Sequence, residues 1–238
     1  MWNAIKDLLF QALQYLESVT GDYGWAIVLL TIALRLALVP LTAKQTRSMY
    51  EMQRIQPKIK ELQAKYKNDK EKLQEETLKF YQENKVNPFG GCLPLLLQMP
   101  VFIALFQVLG GTPEKPGLLL KYLDALPVVE QAAAKSFWVL LSDITLTPSA
   151  MYSAEGVVAA IPYVALVVLF GLSVWLPQQL MPGDKQAKQT SMIMAVMMLY
   201  FGWISPAGVL LYWVTSSVIG LIQQQVSLKI YAREAGGA

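Results

Sequence analysis

The sequence contains no histidine and a single cysteine, Cys92, and only 16% of its 238 residues are charged. Without histidine, the usual general base, proton shuttle and metal ligand are missing. One cysteine can close neither an intrachain disulfide nor a dithiol centre. The shortage of charge, against about 25% in soluble domains, argues against a soluble globule. Charge is also absent in blocks: residues 23–34, 86–113, 156–183 and 189–228 hold no Asp, Glu, Lys or Arg. With no carboxylate in any such run, an intramembrane aspartyl or metal-dependent hydrolase is excluded, and a proton or ion pump is disfavoured.

What is present is long apolar stretches. A spanning helix needs about 20 apolar residues rising roughly 1.5 Å each. If Arg35 is tolerated, the first run extends to 43, and the 40-residue run holds two spans broken at Ser205-Pro206-Ala207-Gly208, where proline and glycine end one helix and start another. The runs predict transmembrane helices over 23–43, 88–111, 156–180, 190–205 and 207–228. The expected fold class is all-α, a polytopic membrane protein with five such helices.

Basic residues outnumber acidic ones 11 to 7 in 44–85, and by 2 to 1 both in 181–189 and in the tail 229–238. In residues 1–22 the ratio is 1 to 3 and in the loop 112–155 it is 3 to 5. The positive-inside rule then places the N-terminus outside and the C-terminus in the cytoplasm. Residues 1–22 lack the basic start and continuous apolar core of a signal peptide. Instead Trp2, Ile5, Leu9, Ala12, Leu16 and Val19 recur at spacings of three and four. That pattern predicts an amphipathic helix, lying on the outer membrane face or packed on the protein itself.

In the cytoplasmic segment 44–85, Met49, Met52, Ile55, Ile59, Leu62 and Tyr66 form a near-heptad stripe. Leu73, Thr77 and Phe80 or Tyr81 follow beyond the polar Lys67-Asn68-Asp69-Lys70 turn. Two stripes joined by a short turn predict an antiparallel helical hairpin. Pro57 is expected to kink the first arm or start a new segment. The hairpin serves either as a solvated spacer or as a basic arm that meets anionic lipid, ribosome or nascent chain.

Arg35 is the most informative residue. It lies about 16 Å along the helix from Gly24 and about 13 Å from Lys44, which is mid-bilayer. An arginine there costs about 2.5–3.5 kcal/mol on insertion scales. No span supplies a carboxylate, so the charge meets water, carbonyls, lipid phosphate or an incoming molecule, or snorkels toward the headgroups. Thr31 and Thr42 make one face of this helix polar. Gln98, Gln107, Ser173, Gln178, Gln179, Thr215, Ser216 and Ser217 are neutral polar groups on other spans. They line a hydrated, positively charged cavity around Arg35, or they form scattered helix-helix hydrogen bonds. Met192, Met194, Met197 and Met198 provide either an adaptable apolar surface or ordinary lipid-facing filler.

Thr31, Arg35 and Pro40-Leu41-Thr42, then Gln56-Pro57-Lys58-Ile59, then Asn87-Pro88-Phe89-Gly90-Gly91-Cys92-Leu93-Pro94 leading to Gln98-Met99-Pro100, and finally Leu211-Tyr212-Trp213 with Gln223-Gln224-Gln225, follow one another in the order of a known family. Over nearly its whole length the chain resembles the YidC/Oxa membrane-protein insertases. The resemblance implies five helices around a hydrophilic groove open to cytoplasm and lipid, with Arg35, Thr31, Gln98, Gln178 and Trp213 contacting substrate. Met194, Met197 and Met198 would form an apolar slide. It implies no catalytic residue, no metal and no cofactor. The implied partners are nascent membrane proteins, the ribosome through the cytoplasmic loops, the SecYEG translocon and membrane lipids. The implied setting is a bacterial plasma membrane, with the protein active as a monomer. The absence of a large domain before the core suggests a compact, Gram-positive-like form, although neither a lipidation cysteine at the start nor a long basic tail is present. A small-anion transporter or channel would use the same arginine, and a holding chaperone would need no groove polarity.

Overall fold

The spacings of three and four at the start of the chain become α1, Trp2–Thr20. Leu13 is fully buried and Leu9, Phe10, Ala12 and Leu16 pack against the core, so only the middle of the expected stripe, Leu9, Ala12 and Leu16, faces inward. The middle of the helix thus packs on the protein, while Trp2, Ile5 and Val19 of the stripe stay exposed together with Leu8 and Tyr15. The helix ends at Gly21, which takes φ 71° and donates its N–H to the Glu17 carbonyl at 2.6 Å. Glycine reaches that left-handed conformation without steric cost.

These features come from a computed structural model that describes residues 2–84, 86, 93–112, 115–180 and 185–236. Two compact units are present: Met1–Ala37 with Met99–Gly220, and Leu38–Gln98 with Leu221–Ala238. After α1 come α2 (Tyr23–Ala37), α3 (Val39–Lys65), α4 (Lys70–Glu83) and α5 (Leu93–Leu109). A two-residue antiparallel pair follows, β1 (Gly111–Thr112) and β2 (Lys115–Pro116), with Gly111 opposite Pro116. Then come α6 (Leu118–Asp124), α7 (Val128–Lys135), α8 (Pro148–Leu180), α9 (Lys185–Trp203) and α10 (Ala207–Gly236).

Where one helix is expected over 23–43, two are found, separated at Leu38. Pro40 has no amide hydrogen to continue the ladder of α2 and sits instead in the first turn of α3, where that loss is harmless. Pro57, by contrast, does not start a new segment, because α3 runs through it to Lys65. By length and composition, Pro148–Pro177 and Ala207–Tyr231 can each cross a membrane, and α2 with α3 counts as a third candidate. Among the described residues, fewer helices are thus long and apolar enough to span than the five expected. The apolar part of α9 begins only at Met192, after the polar stretch Lys185–Ser191, and Gln98–Leu109 is a shorter apolar helix.

In the first unit, α8 and α9 form a tight pair. A Cβ on Gly171 would lie 2.5 Å from Leu199 Cδ2, so the missing side chain permits the approach. α8 itself breaks at Gly156, with φ 83° and ψ −171°. Tyr163, buried in α8, donates its hydroxyl to the Asp143 carbonyl at 2.8 Å and accepts from the Asp143 N–H at 2.9 Å. Those two bonds tie the loop before α8 to the core.

The second unit contains the hairpin. Asp69 caps α4 by accepting from the Lys72 N–H at 3.0 Å, satisfying a first-turn amide. Ile55 and Ile59 of the expected stripe are buried against Val86, with Met52, Phe80 and Tyr81 packed around them. Burial raises the Tyr81 phenol above its ordinary pKa. Near the start of α3, Thr42 accepts a hydrogen bond from Gln223 Nε2, and the Ala43 carbonyl accepts from the Tyr231 hydroxyl at 3.0 Å.

Candidate functional site

Arg35 projects from α2 toward one face of α10. Its Nε donates to Ser216 Oγ at 2.8 Å. Four residues on, one turn along the same helix, Gly220 leaves room for the guanidinium. A Cβ there would come within 3.1 Å of Nη1 and 3.3 Å of both Cζ and Nη2. Tyr212, four residues before Ser216, is buried on the same helix. Positions 212, 216 and 220 repeat every fourth residue and so share a helix face. Among the described residues the ion pairs are Arg47 with Glu51 and Lys135 with Asp124. No described carboxylate pairs with Arg35, whose charge is oriented by a neutral hydroxyl.

The other expected residues do not all gather there. Thr31 is 1% exposed, and its hydroxyl donates to the Ile27 carbonyl at 2.6 Å within its own helix. Trp213 is half-buried, edge-on to both Phe102 (centroids 5.0 Å) and Phe170 (5.2 Å). Its ring joins α5, α8 and α10, which is a packing role. Gln98 is half-buried on α5 in the second unit. The side chain of Gln178 lies outside the described residues, as does the segment 87–92 with Cys92. Residues 181–184, the first part of the second basic loop, lie outside them too.

Several neutral polar groups make the helix-helix bonds that were the competing reading. Gln107 Oε1 accepts from Trp2 Nε1 at 3.0 Å, tying the start of α1 to α5. Gln179 Nε2 reaches Ser191 Oγ at 3.5 Å, between α8 and α9. Ser173 donates to the Phe170 carbonyl of its own helix at 2.7 Å. The methionines divide as well. Met192, Met194 and Met197 are exposed, with Ile193, Val196 and Tyr200 beside them, while Met198 packs against the core. Residues 197 and 198 differ by about 100° around the axis, so one faces out and its neighbour in.

Ser216 was visible in the sequence only as one of three adjacent hydroxyls, and Gly220 was missed. The signal that could have found them is the Tyr212, Ser216, Gly220 spacing of four.

The geometry defines an all-helical, multi-pass membrane protein with a lone arginine held by a hydroxyl on a neighbouring helix. Residues 15–234 match the family described as 60Kd inner membrane protein. The chain belongs to that family, the YidC/Oxa insertases. It is 36% identical over 231 residues to the membrane protein insertase YidC of Pseudoalteromonas atlantica, covering 96% of this chain and 36% of that protein. To the YidC of Fusobacterium nucleatum it is 34% identical, covering 96% of this chain and 97% of that one. The chain therefore spans about a third of the length of the first relative and nearly all of the second. A crystal structure of active YidC insertase with its first transmembrane domain resolved matches with a TM-score of 0.67 and 28% identity, over 95% of this chain and 46% of that one.

Proposed function

We propose that this chain inserts newly made membrane proteins into a bacterial cell membrane, acting as an insertase and chaperone without hydrolysing nucleotide. Five spans, the first formed by α2 with the start of α3, surround a hydrophilic groove, with the N-terminus outside and the C-terminus in the cytoplasm. The observation that carries this reading is Arg35: a charge on the apolar helix α2, oriented by Ser216 and left without a described carboxylate, in a member of an insertase family.

A hydroxyl fixes the guanidinium without neutralising it, so the positive charge remains available to the polar, often acidic, segment of a substrate that must cross. Attraction to that segment shortens its path through hydrocarbon, where each charge costs several kcal/mol. The substrate's apolar helix then leaves sideways into lipid, and hydrophobic transfer supplies the driving force. The exposed face of α9, with Met192, Met194 and Met197, suits varied apolar helices because thioethers are flexible and polarisable. The basic hairpin, α3 with α4, receives the nascent chain from the ribosome, and anionic lipid and the SecYEG translocon are further partners.

Insertion of a short single-span substrate into proteoliposomes tests the reading, with wild type compared to Arg35→Ala and Arg35→Lys. Arg35→Ala should lose most insertion of substrates with acidic tails, and Arg35→Lys should keep part of it. Full insertion by Arg35→Ala, for acidic and neutral tails alike, would sink the electrostatic mechanism.

A further inference from the structure

Between α7 and α8 the chain makes a turn that presents apolar side chains outward. Trp138, Val139 and Leu140 are 70%, 88% and 48% exposed, and residues 136–142 contain no charge. The turn is held firmly. Phe137 and Leu141 exchange backbone hydrogen bonds at 2.8 and 3.1 Å. Trp138 takes φ 48°, the sole non-glycine with positive φ among the described residues. An L residue rarely adopts that conformation, and bulky ones least of all. A large indole placed there while mostly exposed gains little from its own core, so its reward lies outside the chain.

The anchoring contacts fix where the turn sits. Asp22 Oδ2 accepts the Trp138 N–H at 2.8 Å. The other oxygen of that carboxylate accepts the Gly24 and Trp25 N–H groups at 2.6 and 3.1 Å, capping α2. Phe137 lies against Gly24 and edge-on to Trp25, centroids 5.6 Å apart. Farther along the loop, the carbonyls of Ile144 and Leu146 accept the N–H groups of Gly208 and Ala207 at 2.7 and 2.9 Å, the first amides of α10. The turn is thus pinned to the N-terminal ends of α2 and α10, the level at which hydrocarbon gives way to headgroups. Tryptophan is the side chain enriched at that level, because it joins an apolar body to a polar N–H.

We propose that the Phe137–Leu141 turn is a lipid-interface anchor, with Trp138, Val139 and Leu140 entering the headgroup boundary of the leaflet at the N-terminal ends of α2 and α10. It rests on the reading that these helices span the bilayer, and it goes beyond the insertion mechanism by adding a lipid contact that holds the depth of both. Lipid is favoured over a protein partner because the exposed surface is apolar and uncharged and has its depth set by two span ends.

Site-directed spin labelling tests it in a Cys92→Ser background, using full-length protein in vesicles of phosphatidylethanolamine and phosphatidylglycerol. Labels are placed at Val139→Cys, at Lys121→Cys on the exposed side of α6, and at Val168→Cys on the exposed face of α8. The label at 139 should collide with oxygen in preference to a water-soluble nickel complex, at a depth of roughly 5–10 Å, and the label at 121 should do the reverse. Adding Trp138→Gly, which accepts the positive φ without strain, should move the label at 139 toward water. A label at 139 as nickel-accessible as that at 121 overturns the anchor. Shielding of 139 from both reagents overturns it in favour of a protein cover, and an unchanged depth in Trp138→Gly removes the indole from the role. Nickel access at both 139 and 168 overturns the spanning reading together with the anchor, whereas access at 139 alone overturns only the anchor.

Discussion

Removing the Ser216 hydroxyl separates the charge of Arg35 from its placement. Ser216→Ala deletes a hydrogen bond of 2.8 Å to a cationic donor, and bonds to charged groups contribute about 1.5–3 kcal/mol. That corresponds to roughly a tenfold to hundredfold loss of preference for the held geometry. The charge itself survives. Insertion of acidic-tailed substrates in proteoliposomes should therefore fall several-fold, less than in Arg35→Ala, while neutral-tailed substrates change little. Ser216→Thr, which keeps a hydroxyl, should recover most of the loss. Gly220→Leu supplies the matched steric test. Even a Cβ would meet the guanidinium at 3.1 Å, and the longer side chain must push it aside, although leucine favours a helix over glycine by nearly 1 kcal/mol. That variant should unfold no more easily and insert less. If Ser216→Ala and Gly220→Leu both match wild type on acidic-tailed substrates, positioning of Arg35 plays no part in insertion.

Gly24→Ala places a Cβ 2.1 Å from Phe137 Cδ2, an overlap that forces the buried ring to move; a loss of about 1–3 kcal/mol is expected, read as a lower thermal midpoint in detergent, and an unchanged midpoint would refute the packing. Deleting residues 50–82 should impair substrate capture more than integration of the protein itself, and capture at wild-type level would make the hairpin a solvated spacer. Burial raises the Tyr81 phenol, so the fold favours its neutral form. That contribution is complete below the unfolded value of about 10 and is lost as pH rises through the higher folded value. Alkaline proteolysis of the hairpin should accordingly be faster in wild type than in Tyr81→Phe, and equal rates would remove Tyr81 as the cause.

Arg35 was legible in the sequence because a charge inside an apolar run needs no structure to stand out. Its partner was not. Thr215, Ser216 and Ser217 are equivalent on paper, and the choice among them depends on how α10 is rotated about its axis. That rotation is set by contacts distant in sequence, notably Trp213 wedged edge-on between Phe102 and Phe170. Gly220 was less visible still, since a glycine inside a helix reads as a small penalty and only the guanidinium beside it supplies the reason. Gln107 stayed undecided for a related cause: a polar residue on a span fits a groove as well as it fits a bond to Trp2, 105 positions away. The division of the methionines was not legible either: at about 100° per residue Met194, Met197 and Met198 share one side of the helix and Met192 stands apart, whereas the structure exposes Met192, Met194 and Met197 and packs Met198 against the core.

The partner that was found bears on how the charge can work. A carboxylate in place of Ser216 would hold the guanidinium more tightly, but it would also neutralise it, and an approaching acidic segment would have to displace an internal competitor. A hydroxyl accepts the Nε–H and leaves the remaining guanidinium donors to other contacts. Glycine at 220 keeps that side of the fork uncovered, where any β-carbon would crowd it. Ser216 and Gly220 are thus one device on one helix face: it aims the cation while keeping its charge, at a depth where an unoriented arginine would gain more by snorkelling to the headgroups. Arg35→Lys distinguishes aim from charge, because an ammonium keeps the charge but has no Nε donor for Ser216 and no planar group to lie over Gly220. If lysine inserts acidic-tailed substrates as well as arginine, charge alone is sufficient and the face of α10 is only packing. If it falls between arginine and alanine, by the same margin that Ser216→Ala falls below wild type, the shortfall is the aim.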